Sequence, residues 1–352
     1  MKNSTNVSWI NSEIELAEYQ NSLLRWYDRD RRDLPWRQNP SLYKTVVSEF
    51  MLQQTRVSTV LPYFKNWLKE FPNFPSLADA PEPKVLKAWE GLGYYSRARN
   101  LHKIAKFAAN WESPPETLEE WKKLPGVGPY IAAAVMSISL GKVEAVCDGN
   151  VVRVLSRIFK ISESFKDGAT AQKKIHPLAH LLISSTRPGD YNQAIMELGA
   201  TICHRSSPLC SACPIRMHCK SGQSGDWIQY PVIIRKPKNT VTLQRYWVEK
   251  NDCILLFAAE EGRLQGVLEL PQNLPFKPRF KIQNPKILAT RQRTIGNTVY
   301  TEKILEIKPD IPLPPSLPQG YQWMKWSKIK DFTLSGPHRK WINDLKKTNH
   351  LF

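Results

Sequence analysis

From residue 12 to residue 220, apolar side chains recur at spacings of three and four, the period of helices with one buried face. The pattern predicts helices over Ile14–Asp28, Lys44–Leu52, Val57–Phe71, Pro83–Glu90, Ala98–Asn110, Thr117–Lys123, Tyr130–Leu140, Val151–Phe159, Gln172–Ser184 and Tyr191–Thr201. Pro and Gly mark the joints, as in SPPETL and LPGVG. Beyond residue 240 the period changes. VTLQRYWVE, CILLFAA, ILATRQRT and TVYTEKILEI are rich in β-branched and aromatic residues with partial alternation, which predicts strands. A mainly α region over 12–225 is therefore expected to precede an α+β domain over 240–352. The basic, Pro-containing segment 226–239 reads as a linker, and PDIPLPPSLP at 309–318 as an extended surface loop. There is no internal repeat.

Charge narrows the class of partner. The chain of 352 residues carries a formal charge of +18, with 12 Trp, 12 Tyr and 12 Phe, which favours a polyanion over an acidic small molecule. Residues 231–352 hold 21 Lys and Arg against 10 Asp and Glu, and the first 230 hold 29 against 22, so the C-terminal part is the more basic for its size. No apolar run approaches the roughly 20 residues that span a bilayer. The start MKNSTNVSW has no signal-peptide core, so an intracellular, cytoplasmic protein with no membrane partner is expected.

Four of the six cysteines crowd into Cys203, Cys210, Cys213 and Cys219, spaced C-x6-C-x2-C-x5-C, with Pro208 and Pro214 turning the chain between them. Such a comb points to a metal site, a [4Fe–4S] cluster or a structural zinc, rather than to a disulfide framework. His204, Arg205, Arg216, His218 and Lys220 would make the same loop a cationic knob for phosphate. Upstream, LPGVGPYIAAAVMSISL leads into VCDGN. A Gly-x-Gly turn entering a helix offers backbone N–H groups to a phosphate through Gly126, Val127 and Gly128, and Asp148 places a carboxylate at the next helix start.

These features together resemble the helix-hairpin-helix DNA glycosylases with an iron–sulfur loop, the endonuclease III superfamily. Within it the chain is most similar to the MutY-type adenine DNA glycosylases, through DLPWR at 33–37, SEFMLQQT at 48–55, GLGYYSRARNL at 91–101 and the N-x-A-x-x-E-L-G-A run from Asn192 to Ala200. The resemblance implies a six-helix lobe plus a cluster lobe, one [4Fe–4S] cluster, and a monomer acting on duplex DNA that contains an adenine mispair. Its expected reaction is hydrolysis of the bond between sugar and adenine opposite 8-oxoguanine or guanine.

Residue chemistry supports that reaction independently. Breaking an N-glycosidic bond requires a proton for the departing base and an anion for the developing sugar cation, hence two carboxylates with opposite protonation needs. Glu49, among Val46, Val47, Phe50 and Met51, is expected to have a raised pKa and act as the acid. Asp148, before a helix, is expected to stay ionised, and Asn150 to orient it. Bifunctional relatives carry a Lys after the hairpin that attacks the sugar as an amine. This chain has Tyr130, expected to hydrogen-bond Asp148 or nearby backbone, so a monofunctional enzyme is predicted. An endonuclease III-like lyase and a non-catalytic binder of damaged DNA are the alternatives.

A glycosylase must also extrude its nucleotide. Leu92 and Tyr94 are candidate wedges and Gln54 a filler beside the orphaned partner, while Arg32, Trp36, Arg37 and Gln193 are candidates for the base pocket. Residues 240–352 resemble the Nudix-like domain of MutY proteins, most clearly in GRLQGVLELP at 262–271, but lack a Nudix metal box, so a lesion-recognition role is expected in place of pyrophosphatase activity. In that family a Phe-Ser-His loop reads the oxidised guanine. Here the matching segment RTIGN puts Ile295, Gly296 and Asn297 in its place, which leaves Asn297 as the candidate and Ser335 to Arg339 as substitutes.

Overall fold

The computed structural model describes residues 13–234, 237–275, 285–308 and 316–349. In chain order the helices are α1 (Glu13–Asp30), α2 (Leu42–Leu52), α3 (Val57–Glu70), α4 (Phe74–Ala78), α5 (Glu82–Ala88), α6 (Ser96–Ala108), α7 (Leu118–Lys122), α8 (Pro129–Leu140), α9 (Gly149–Phe159), α10 (Gly168–Leu182), α11 (Pro188–Thr201), α12 (Lys220–Ser224) and α13 (Gly336–Asn349). The strands are β1 (Ser164–Phe165), β2 (Val232–Ile233), β3 (Asn239–Lys250), β4 (Cys253–Ala258), β5 (Leu268–Glu269), β6 (Ile287–Ile295), β7 (Thr298–Ile307) and β8 (Tyr321–Lys325). Two compact units result. One joins the chain up to Lys65 with Phe107–Arg235, and the other joins Asn66–Lys106 with the chain from Lys236 onward. None of the helices among the described residues is long and apolar enough to cross a membrane.

In the first unit α2 is buried nearly all round, from Tyr43 through Phe50 and Met51, as expected of a helix at the centre of a core. Its start is fixed by Ser41, whose hydroxyl accepts from the Lys44 amide. Helix α8 starts with Pro129 at its first position and ends at Gly141, which takes φ +66. Its buried Ala132, Ala133 and Ala134 let neighbouring helices come close.

Two glycines of α11 record that closeness. A Cβ at Gly189 would meet the Ser137 carbonyl oxygen at 2.6 Å, and one at Gly199 would meet Asn150 Cβ at 2.6 Å. Between them the buried Asn192 donates to Ser137 Oγ (2.8 Å) and the Glu144 carbonyl (2.7 Å) and accepts from the Val146 amide (3.1 Å). It thereby ties α8 and α11 to the extended segment that delivers Asp148. The first part of the expected linker is built into this unit, because β2 pairs in parallel with β1 and the Ile234 amide donates to the Phe165 carbonyl at 2.9 Å.

The second unit holds a sheet in the order β5-β4-β3-β7-β6, with β8 also paired to β4. All four strand-like segments of the sequence form strands, in β3, β4, β6 and β7. Strands β3 and β7 run parallel, whereas β6 and β7 form an antiparallel hairpin. Both faces are covered: Trp247 packs with Ile254, Leu256 and Ile304 against Trp341, Ile342 and Leu345 of α13, while adjacent Val248 packs with Leu255 and Ile307 on the other side. Under α13 the core is ionic as well as apolar. Buried Glu302 accepts from Arg245 Nε at 2.6 Å and pairs with Arg293, Arg245 also reaches Glu269 (3.2 Å), and buried His338 Nδ1 accepts from the Leu270 amide at 2.9 Å. Of the Pro-rich segment at 309–318, residues 309–315 lie outside the described residues.

Candidate active site

A cavity of about 200 Å³ opens in the first unit, walled by two helix faces. From α2 come Thr45, Ser48, Glu49 and Leu52, and from α11 come Gln193, Met196, Glu197 and Ala200, each set spaced i, i+3, i+4, i+7. Trp36, Arg37, Tyr130, Asp148 and Asn150 complete it. Segments more than 140 residues apart in sequence thus converge on one space.

Glu49 is 5% exposed, and its Oε2 is buried without a hydrogen-bond partner. Burial pushes its carboxyl up to about 7, with a hydrogen bond from Tyr130 and the charge of Arg37 working the other way and the charge of Asp148 adding to the rise. Near neutral pH this acid is partly protonated. The Tyr130 hydroxyl lies 3.3 Å from Met196 Sδ as well. Its hydrogen-bond partners are therefore Glu49 and Met196, not the expected Asp148, because the hydroxyl reaches toward α2 and α11.

Asp148 caps α9. Oδ1 accepts from the amides of Asn150 (2.9 Å) and Val151 (2.8 Å), and Oδ2 accepts from Asn150 Nδ2 at 2.8 Å. Burial raises its pKa above the ordinary carboxylate value, and these three hydrogen bonds oppose the rise. All three favour the charged form, and the carboxylate is held rigidly at a helix N-terminus. Asn150 Oδ1 in turn accepts from Arg153 Nη2 (2.9 Å), whose guanidinium also donates to the backbone carbonyls of Gly199 (2.7 Å) and Cys203 (2.8 Å).

The opposite wall is held by Glu197, only 1% exposed. Arg32 binds it with Nε at 2.7 Å and Nη2 at 2.8 Å, and Arg37 Nη2 adds a further bond at 2.8 Å. The paired guanidiniums hold its carboxyl down at about 2 despite its burial. Arg37 Nε also reaches Gln193 Oε1 at 3.2 Å, and Trp36 meets Phe64 edge to face at 5.3 Å. Arg32 and Arg37, candidates for the base pocket, thus place four of their donors on Glu197 and on the Arg32 carbonyl.

Other expected contacts divide. In the hairpin, Gly126 takes φ +75, but Val127 is buried and its amide donates to the Leu124 carbonyl at 3.1 Å, so that N–H is already used; Gly126 and Gly128 are the more open positions. Gln54 is exposed with φ +54. Of the two wedge candidates Leu92 is buried, at 6% exposure, and packs as core, whereas Tyr94 is 44% exposed with φ +48. Gly296 and Asn297 form the tip of the β6–β7 hairpin, yet Asn297 Nδ2 donates to the Pro237 carbonyl at 2.6 Å, which leaves its Oδ1 for any partner. Ser335 and His338 are buried and Arg339 is paired with Glu90, so this segment does not supply the substitute contacts expected of it.

Cys203, Cys210, Cys213 and Cys219 line one cavity with Arg157, Ile202, Pro208, Gly222 and Trp227. Arg157 Nη1 donates to Cys203 Sγ at 3.2 Å and the Gly222 amide to Cys219 Sγ at 3.3 Å. A Cβ at Gly222 would press on Cys219 Sγ at 3.3 Å. Among the described residues no three His, Cys, Asp or Glu side chains are arranged to hold a single ion.

Sequence reasoning passed over Glu197, Asn192 and Arg153 as site residues. The signal for Glu197 was available, since it follows Gln193 by four on one helix face; Arg153 and Asn192 act through long-range carbonyl contacts that no local pattern displays.

A buried carboxyl and a capped carboxylate share this cavity, and residues 47–178, which carry both, match HhH-GPD, the HhH-GPD superfamily base excision DNA repair protein family. The chain is 40% identical to an adenine DNA glycosylase of Schizosaccharomyces pombe, with 97% of this chain and 82% of that protein covered. It is 41% identical to the Homo sapiens adenine DNA glycosylase over 59% of this chain, spanning 40% of that protein's length. Among solved structures, a thermostable thymine-DNA glycosylase superposes with a TM-score of 0.52 at 27% identity, covering 59% of this chain and 97% of that one. The chain belongs to the adenine DNA glycosylase family.

Proposed function

We propose that this chain is a monofunctional adenine glycosylase of base excision repair, removing adenine mispaired with 8-oxoguanine or guanine in duplex DNA. The observation that carries this reading is the shared pocket of Glu49 and Asp148, one carboxyl lifted to about 7 by burial and the other held by three donors. Glu49 gives its proton to the departing adenine, and the electron pair of the C1′–N bond leaves with the base. Asp148 faces the cationic sugar, with Asn150 orienting it. Water then adds to C1′ and loses its proton to Glu49, so the products are free adenine and an abasic site. Tyr130 offers no amine, so no imine to the enzyme forms. Arg32, Trp36, Arg37, Gln193 and Glu197 shape the cavity that receives the base.

Four sulfurs and two N–H···S bonds around one cavity support a [4Fe–4S] cluster on Cys203, Cys210, Cys213 and Cys219. Such a cluster would rigidify the basic loop; no catalytic proton or bond passes through it. We assign residues 12–225 to the glycosylase domain, 226–239 to the connection and 240–352 to a Nudix-like domain that reads the partner base with Asn297. Gln54, Tyr94 and the amides of Gly126 and Gly128 would meet the duplex, supported by the charge of +18. The enzyme would work as a monomer inside the cell.

A duplex with adenine opposite 8-oxoguanine should yield an abasic site that breaks only after alkali. Direct nicking with a borohydride-trapped adduct sinks the monofunctional reading. Single-turnover rates opposite 8-oxoguanine, guanine and cytosine test the partner preference.

A further inference from the structure

Asn66–Lys106 and the chain from Lys236 onward form one compact unit, and contacts between these segments flank the loop Gly91–Tyr94 on both sides. Glu90, just before the loop, is gripped twice. Arg339 of α13 donates Nε to its Oε1 and Nη2 to its Oε2 (3.0 Å), and Lys87 Nζ approaches Oε2 at 2.9 Å. Just after the loop, Tyr95 donates its hydroxyl to the Leu334 carbonyl at 2.8 Å. Arg97 supports the loop from beneath: Nη2 donates to the Leu92 carbonyl at 2.9 Å, and its guanidinium lies 5.4 Å from the Trp89 ring and 5.5 Å from the Tyr94 ring. Both ends of the loop are thus bonded to residues 334–339, and Tyr94 stands exposed above with φ +48.

A wedge stabilises an extruded nucleotide only while its ring cannot retreat from the stack. A left-handed tyrosine on a glycine-flanked loop retreats easily unless the loop ends are fixed. The bidentate pair of Arg339 with Glu90 fixes one of them. We propose that Arg339, acting through Glu90, is a positioning residue for Tyr94, so that the C-terminal domain sets how the wedge is presented and couples partner-strand recognition to extrusion of the target nucleotide. This rests on the readings of the chain as an adenine glycosylase and of Tyr94 as a wedge.

The test uses the full chain and a duplex with 2-aminopurine beside the target adenine, which fluoresces when the stack opens, together with single-turnover excision and thermal melting. Arg339→Gln and Glu90→Gln should each lower both the unstacking signal and the excision rate about tenfold. The double variant should be no worse than either single, and Arg339→Lys should restore part of both signals. In a Tyr94→Ala background Arg339→Gln should add nothing. A full additional loss in that background, or a loss that only tracks melting, overturns the coupling. Tyr94→Ala that unstacks as well as the unsubstituted chain overturns the wedge reading and the proposal with it. Absence of excision by the unsubstituted chain reaches the glycosylase reading alone, with unstacking still measuring the coupling.

Discussion

Gly199 of α11 lies so close to Asn150 that a Cβ placed on it would stand 2.6 Å from Asn150 Cβ. The side chain that holds Asp148 Oδ2 is therefore seated against bare backbone, and Arg153 binds both the Gly199 carbonyl and Asn150 Oδ1. Gly199→Ala must push Asn150 away from its carboxylate. Overpacking of this kind costs about 1–3 kcal/mol. The expected outcome is a modestly lower melting temperature with an excision rate reduced about tenfold or more, and unchanged excision would remove Asn150 from its orienting role.

Asp148→Asn keeps the shape and, through Oδ1, the two backbone cap bonds, but loses the negative charge and the bond that Oδ2 accepts from Asn150. Excision should be abolished while affinity for the mispaired duplex survives. A filter-binding or anisotropy titration showing lost affinity instead would make Asp148 a structural cap.

The acid must be protonated and the anion must not. Because the Glu49 carboxyl is pushed up to about 7, excision should decline as pH rises through that value, roughly tenfold per unit above it. On the acid side the rate should fall as Asp148, itself raised above an ordinary carboxylate, takes up a proton. A single-turnover pH profile with no alkaline decline would exclude Glu49 as the acid.

Glu197 holds two arginines from a position with 1% exposure. Glu197→Ala leaves those guanidiniums without a counter-charge in the pocket wall, and losing one partner of a buried pair costs about 3–5 kcal/mol. Denaturant unfolding should register that loss, and adenine excision should fail even where the protein remains folded. A neutral effect on both would mean that solvent replaces the carboxylate.

In the second unit His338 is kept neutral, its pKa well below the ordinary value through burial and then through Arg245 and Arg293. The unfolded chain takes up that proton near pH 6.5, whereas the folded chain does not. Stability should therefore fall as pH drops below about 6.5, since the unfolded state binds the extra proton. His338→Gln should flatten that slope in pH-dependent melting. An unaltered slope would place the titration elsewhere.

Much of the fold was legible because its signals are local. The three-and-four spacing, the Pro and Gly joints and the later alternation announced a helical region and then a sheet. Motif runs marked Glu49 and Asp148, which line one cavity, and the four cysteines, which line another. Less legible were the partners. Tyr130 meets Glu49 and Met196 because α2 and α11 flank it, and Leu92 is core while Tyr94 is exposed because the backbone turns left-handed at Gly93 and Tyr94 between them.

By itself the sequence determined which groups are present: two carboxylates, a phenol just after the Gly-x-Gly turn, four clustered thiols, an excess of basic residues, and the periodicities that make helices and strands. These are properties of residue type and spacing, which survive in any conformation. Only the tertiary structure decided that Glu49 loses its water, that Asp148 gains three donors, that Arg32 and Arg37 are claimed by Glu197, and that residues 66–106 pack with the C-terminal sheet. Desolvation and hydrogen bonding depend on segments far apart in the chain, so the shifted proton affinities of these groups exist only once packing brings those segments together.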